Sequence, residues 1–172
     1  TEYENAFLSF LEEAGWNYLP GSSLPRTSMR DVLYIDDMEY FLNKTNPDLT
    51  ADEIQQIMDT VRLAGAESDF ATLHKVYGWM VNGIQFTPQS GLPIMVNLID
   101  FENPEKNVFR AVNQFIVEYT NNGQTENRRP DILLFVNGIP LCIVELKNPA
   151  DVNATIYDAW EQINIRYWRD IP

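Results

Sequence analysis

Arg129-Pro-Asp-Ile-Leu-Leu-Phe-Val-Asn-Gly-Ile-Pro-Leu-Cys-Ile-Val-Glu-Leu-Lys147 is the stretch that decides the fold. Two apolar runs, Ile132–Val136 and Ile139–Val144, flank an Asn-Gly pair and read as a β-hairpin buried on both faces. Asp131 opens the first run, and Glu145 and Lys147 close the second. An unpaired charge in such a place is expensive, because burial strips its hydration shell. Two converging carboxylates have a natural partner in a hard divalent cation. The plainer account makes Asp131 a turn residue after Pro130 and Glu145 with Lys147 a surface pair. It leaves three charges at matching ends of two apolar strands unexplained.

The turn bears on this directly. A strict two-residue loop at Asn137-Gly138 pairs Val136 with Ile139 and Asp131 with Val144. Alternation then sends the Asp131 and Glu145 side chains to opposite faces. A three-residue loop, Val136-Asn137-Gly138 with Gly138 left-handed, pairs Phe135 with Ile139 and brings Asp131, Glu145 and Lys147 onto one face. The chemistry therefore predicts the three-residue turn.

Pro130-Asp131, thirteen residues, then Glu145-Leu146-Lys147 resembles the PD-(D/E)xK nuclease signature. The surrounding text is similar, more narrowly, to the N-terminal nuclease domain of the restriction (motor) subunit of type I restriction–modification enzymes. Leu98-Ile-Asp-Phe-Glu-Asn-Pro104, Val112-Asn-Gln-Phe115 and residues 159–172 carry the same likeness, which covers essentially the whole chain. The resemblance implies an α/β, restriction-endonuclease-like core: a mixed β-sheet flanked by helices, with an N-terminal helical part. It implies Mg²⁺-dependent hydrolysis of DNA phosphodiesters. Asp131, Glu145 and the Leu146 backbone carbonyl would hold the ion, and Lys147 would orient water and stabilise charge developing on the phosphate. Expected partners are double-stranded DNA and the methylation and specificity subunits of a restriction complex. Residues 1–172 read as one nuclease domain of a longer chain, with ATP serving only a motor beyond Pro172; no Walker A loop is present.

Composition agrees with a folded domain: 45% of residues are apolar and 12% aromatic, enough for a sizeable core. No apolar run approaches the roughly 20 residues of a membrane span. The first residues carry no secretion signal, so a cytoplasmic location is expected. The single cysteine, Cys142, reads as a small core residue. A net charge of −13 argues against a free-standing DNA-binding domain, since cationic side chains normally supply most of that affinity. It therefore disfavours one competing reading, a repair or junction-resolving nuclease with its own basic surface. The other, a docking module that kept the fold without catalysis, is disfavoured by the intact Asp131, Glu145 and Lys147.

Helical periodicity places Tyr3, Phe7, Phe10, Leu11 and Ala14 on one face of a helix over residues 1–14, stopped by Gly15. A short amphipathic helix covers 36–43, with Met38, Phe41 and Leu42 apolar. Thr50-Ala-Asp-Glu53 is a capping box opening a helix to about Leu63. Another covers 69–81 with Phe70, Leu73, Val76, Tyr77 and Met80 inward. Strands are expected at 84–87, 94–99 and 111–119, and a final helix at 154–167.

Secondary site candidates follow. Glu4 matches the place where related nucleases carry an extra acidic residue, though an exposed helical Glu is the simpler reading. The last helix of the type I nucleases carries Gln-x-x-x-Tyr. Here four residues separate Gln162 from Tyr167, which on a regular helix lie roughly 140° apart. They could share a site only across a bulge or at a frayed end. Arg128 and Arg129 are candidates for phosphate contact, with a solvated pair flanking a strand as the equal alternative. His74 reads as structural, Asp100 and Glu102 as turn residues, and Trp79, Trp160 and Trp168 as core.

Overall fold

The computed structural model describes residues 2–65, 70–147, 155–167 and 169, without the side chain of Phe70. The chain divides into two units, one made of Thr1–Val32, Phe109–Phe135 and Pro140–Pro172, the other of Leu33–Val108 and Val136–Ile139.

The first unit carries helix α1 (Glu2–Glu13) and a four-stranded sheet in the order β1-β4-β7-β8. Its strands are β1 (Asn17–Pro20), β4 (Phe109–Asn113), β7 (Ile132–Val136) and β8 (Ile139–Val144). β1 runs parallel to β4, with Tyr18 opposite Ala111. The Gln114 N–H donates to the Asp131 carbonyl at 3.0 Å and the Asn137 N–H to the Val108 carbonyl at 2.9 Å, an antiparallel relation of β4 to β7. The sheet is thus mixed, as expected. Leu8 and Leu11 of α1 pack with Ala111, Ile132, Leu134, Val144 and Leu146. Burying each such leucine stabilises by about 1.5–3 kcal/mol. Of the predicted α1 face Leu11 is buried and Phe7 packs partly buried on the same cluster, whereas Tyr3, Phe10 and Ala14 are exposed and Glu4 and Leu8 are buried instead. The periodicity was sound, but the sheet selects the stripe one residue round.

β1 was not foreseen. Nor was the hairpin β5 (Val117–Asn121) and β6 (Gln124–Arg128), whose first strand begins within what reads as one strand over 111–119 and runs past its end. Gln114, left-handed at φ 52°, ends β4 and separates the two strands. The closing helix is α5 (Ile156–Glu161), begun by a Thr155/Asp158 capping box, continuing as a π-helical segment over Gln162–Tyr167.

The second unit contains α2 (Ile35–Thr45), α3 (Ala51–Gly65), α4 (Phe70–Asn82) and the short hairpin β2 (Ile84–Phe86)/β3 (Ile94–Val96). Met38, Phe41, Leu42, Ile54, Ile57, Val96 and Leu98 form its core. The expected capping box is present: the Thr50 N–H reaches Glu53 at 2.8 Å and the Glu53 N–H reaches Thr50 Oγ1 at 3.3 Å. α4 keeps part of its predicted face, since Met80 packs on the core as expected, but Leu73 and Tyr77 are exposed and Trp79 packs there in their stead. Among the described residues, no helix is long and apolar enough to cross a membrane.

The hairpin turn differs from expectation. Gly138 has φ 77° as predicted, but Asn137 is also left-handed, at φ 50°. Two successive left-handed residues between β7 and β8 make a two-residue type I′ loop, not the three-residue one. Asn137 tolerates this backbone because its side chain is held. Its Oδ1 accepts from the Val108 N–H at 2.7 Å, and its Nδ2 donates to the Leu98 carbonyl at 2.9 Å. The alternation set at this turn does not persist along β8. Leu141 and Cys142 are successive exposed residues, and Val144 and Leu146 pack with Ile132 and Leu134. The change of side that the chemistry requires is made along β8 rather than at the turn.

Candidate active site

Asp131 stands immediately before β7, after the buried Pro130. Its Oδ2 accepts the Leu146 N–H at 2.8 Å, so the two ends of the hairpin are joined where the charges lie. Glu145 and Lys147 follow the last residue of β8, outside the strand ladder. Gln162 and Tyr167 come from the π-helical segment.

These side chains form a closed set of hydrogen bonds. Tyr167 Oη donates to Glu145 Oε1 at 2.5 Å, and Gln162 Nε2 donates to Glu145 Oε2 at 2.8 Å. The same amide nitrogen donates to Tyr167 Oη at 2.6 Å, while Gln162 Oε1 accepts from Lys147 Nζ at 2.8 Å. The amide orientation follows from its neighbours: an ammonium only donates and a carboxylate only accepts, so oxygen must face Lys147 and nitrogen Glu145. Gln162 therefore couples the cation to the carboxylate without a direct ion pair.

The π-helix explains how Gln162 and Tyr167 meet. Five residues apart, they diverge on an α-helix but share a side of an i→i+5 helix. The extra residue between them, relative to Gln-x-x-x-Tyr, is taken up by the local winding.

Burial raises the Glu145 pKa, the Tyr167 hydrogen bond opposes that, and the neighbouring Asp131 carboxylate raises it further. Burial and donation to Glu145 also push the Tyr167 phenol up, keeping it a neutral donor. Two carboxylates crowded in this way suit a small hard cation, whose charge would reverse the repulsion. The donor set fits Mg²⁺, which binds through one or two carboxylates and keeps several waters. Among the described residues, no set of three His, Cys, Asp or Glu side chains is gathered to hold a metal. Glu4 lies in a neighbouring polar cluster joined to this one through Gln114.

Glu4 is buried rather than exposed, which corrects the simpler reading. It accepts from Asn113 Nδ2 at 2.8 Å and from Gln114 Nε2 at 3.4 Å, and Gln114 is joined through its own N–H to the Asp131 carbonyl. Burial works to raise the Glu4 pKa, but hydrogen bonds led by that of Asn113 outweigh it and hold the group below its ordinary value. Tyr18 Oη donates to Asn113 Oδ1 at 3.1 Å. Asn113, Gln114 and Tyr18 were not identified as site residues; the Val112-Asn-Gln-Phe115 likeness was the available signal.

Arg128 is half-buried over the Tyr119 ring, 4.9 Å from its centroid, and Arg129 is exposed. Cys142, expected in the core, is exposed on β8, the last strand in the order of the four-stranded sheet. His74 is also exposed. Asp100 is a turn residue as expected, its Oδ1 accepting from the Glu102 and Asn103 N–H groups. Trp79 packs on the second unit's core, whereas Trp160 is exposed and stacks on Tyr157. Trp168 lies outside the described residues.

Residues 1–171 match the family model described as the type I restriction enzyme R protein N terminus. The chain is 36% identical over 179 residues to the "Putative type I restriction enzyme MjaIXP endonuclease subunit" of Methanocaldococcus jannaschii, a match covering 98% of this chain and 17% of that protein. It is 31% identical over 175 residues to the "Type I restriction enzyme HindI endonuclease subunit" of Haemophilus influenzae, covering 94% of this chain and 16% of that one. The chain thus spans about a sixth of the length of these relatives.

Proposed function

Since this chain belongs to the family of type I restriction enzyme R protein N termini, we propose that it is the Mg²⁺-dependent DNA-cleaving domain of an ATP-driven restriction complex. The observation that carries the proposal is the coupled set of Asp131, Glu145, Lys147, Gln162 and Tyr167. Asp131 and Glu145 would hold Mg²⁺, with the Leu146 carbonyl as a further ligand. When bound, the ion supplies Lewis-acid polarisation of a phosphodiester and acidification of water. Gln162 and Tyr167 fix the Glu145 carboxylate, so that it need not reorganise during reaction. Lys147, positioned by Gln162, stabilises negative charge building on the phosphate oxygens and orients the attacking water. ATP would serve a motor elsewhere in a longer chain, and methylation and specificity subunits would complete the complex and choose the site.

The test is made in the intact enzyme. Asp131→Ala, Glu145→Ala and Lys147→Ala should each abolish DNA cleavage in Mg²⁺ and leave ATP-driven translocation nearly untouched. Any one of them cutting at the parental rate would refute the role given to that residue.

A further inference from the structure

An open groove of about 800 Å³ in the first unit ends against the site: Gln162 and Tyr167 line it, together with Arg128, Arg129, Arg166 and Arg169. The chain has eight arginines, so half of them line this one groove. Glu161 is the one acidic residue among those lining it, and four positive charges less one negative leave +3 there, in a chain whose net charge is −13. Such a concentration calls for an anionic occupant. The arginines come from two places in sequence, the end of β6 with the residue after it and the turn of helix around Tyr167.

We propose that this groove seats the DNA backbone as it reaches Glu145 and Lys147, with the four arginines taking phosphates that flank the one to be cut. This rests on the reading of the chain as a DNA nuclease. Guanidinium groups present paired N–H donors that match phosphate geometry, and they keep their charge at any working pH. At physiological salt the screening length is about 8 Å, so acids farther off on the surface are largely masked. Glu145 and Asp131 lie within that length at the groove's inner end, so the excess positive charge is felt along the arginine-lined stretch that leads to them. The contacts carry no sequence information, which suits a cutting domain that relies on another subunit to choose DNA. The groove also resolves the conflict between an acidic chain and a DNA substrate: attraction is confined to the approach to the site.

The experiment follows binding of a fluorescent DNA duplex to the full-length protein across a salt titration, with Mg²⁺ withheld. Replacing Arg128 and Arg129 together, or Arg166 and Arg169 together, with Gln should lower the slope of log affinity against log salt by about two units for each pair. With Mg²⁺ restored, cleavage by these variants should fall chiefly through KM and recover at high DNA concentration. Lysine at the same four positions should keep the slope, which separates lost charge from a lost fold. Glu161→Gln should tighten binding, an outcome that does not depend on the arginine variants folding. Unchanged slopes in both glutamine pairs, or no tightening in Glu161→Gln, would overturn the proposal. Asp131→Asn keeps the two readings apart: it should lose cleavage with its salt slope intact. If Asp131→Asn still cuts while the arginine variants lose slope, the catalytic reading fails and the groove stands.

Discussion

The two Asn-Gly hairpins use one local geometry for opposite purposes. Asn122-Gly123, at φ 49° and 79°, joins β5 to β6; Asn137-Gly138, at φ 50° and 77°, joins β7 to β8. Both are two-residue type I′ turns. The first lies in solvent: its register is regular, Asn121 pairs with Gln124, and a Cβ on Gly123 would meet nothing within 4 Å. The second is enclosed. A Cβ on Gly138 would lie 2.0 Å from the Tyr34 carbonyl oxygen, and the Tyr34 N–H donates to the Gly138 carbonyl at 2.8 Å. Each hairpin also presents a glutamate to a tyrosine. Glu126 accepts from its cross-strand partner Tyr119 at 2.6 Å and from Asn121 at 2.8 Å. Glu145 accepts from Tyr167 and Gln162, but beside a second carboxylate and a lysine coupled through the amide. Identical turn chemistry thus says nothing about function; burial and neighbouring charge separate the two.

The largest expected difference is in activity. Glu145→Gln in the intact enzyme should reduce DNA cleavage by about a thousandfold, the scale of losing a group that acts on developing charge. Glu126→Gln, which disturbs a tyrosine–glutamate contact of similar length, should leave cleavage near the parental rate. A nicking assay on both decides whether the site is the β7–β8 end alone. Equal losses would break the comparison.

Next comes the pair of glycines. Gly138→Ala must accept a left-handed Cβ and push backbone against backbone, so it should destabilise by about 3 kcal/mol or more. Gly123→Ala meets only the conformational penalty, about 1 kcal/mol. Chemical denaturation of both variants measures the difference. Near-equal values would mean that the enclosed turn yields more easily than its contacts imply.

The asparagines should differ least. Asn137→Ala removes partners from the Val108 N–H and the buried Leu98 carbonyl, a loss of about 2 kcal/mol. Asn122→Ala, exposed, should lose about 1 kcal/mol or less, mostly the strain of an alanine at positive φ. Asn137→Asp should not narrow the gap: it keeps the acceptor for the Val108 N–H but turns a buried carboxylate oxygen toward the Leu98 carbonyl and Asn107 Oδ1, the two acceptors that Nδ2 now satisfies.

Much of this molecule is written locally. The apolar runs around Asn137-Gly138, the Thr50–Glu53 capping box and the Met38, Phe41, Leu42 stripe are short-range patterns, and each appears where the residues place it. The same is true of the charges at Asp131, Glu145 and Lys147, because a charge closing an apolar strand is conspicuous in one dimension. What tertiary structure decided is which of two permitted alternatives was taken. Nothing local tells α1 to bury Glu4 and Leu8 rather than Tyr3 and Phe10; the apolar face of the sheet and the amides of Asn113 and Gln114 do. Nothing local distinguishes a two-residue turn from a three-residue one in a sequence that tolerates both, and Asn137 is held left-handed by Val108 and Leu98. Gln162 and Tyr167 are out of phase by the arithmetic of an α-helix. They meet because the helix carrying them winds to i→i+5, where both side chains reach Glu145 and one reaches Lys147. Periodicity specifies elements; long-range hydrogen bonds to buried polar groups select among their conformations, since leaving such a group unpaired costs more than a local distortion.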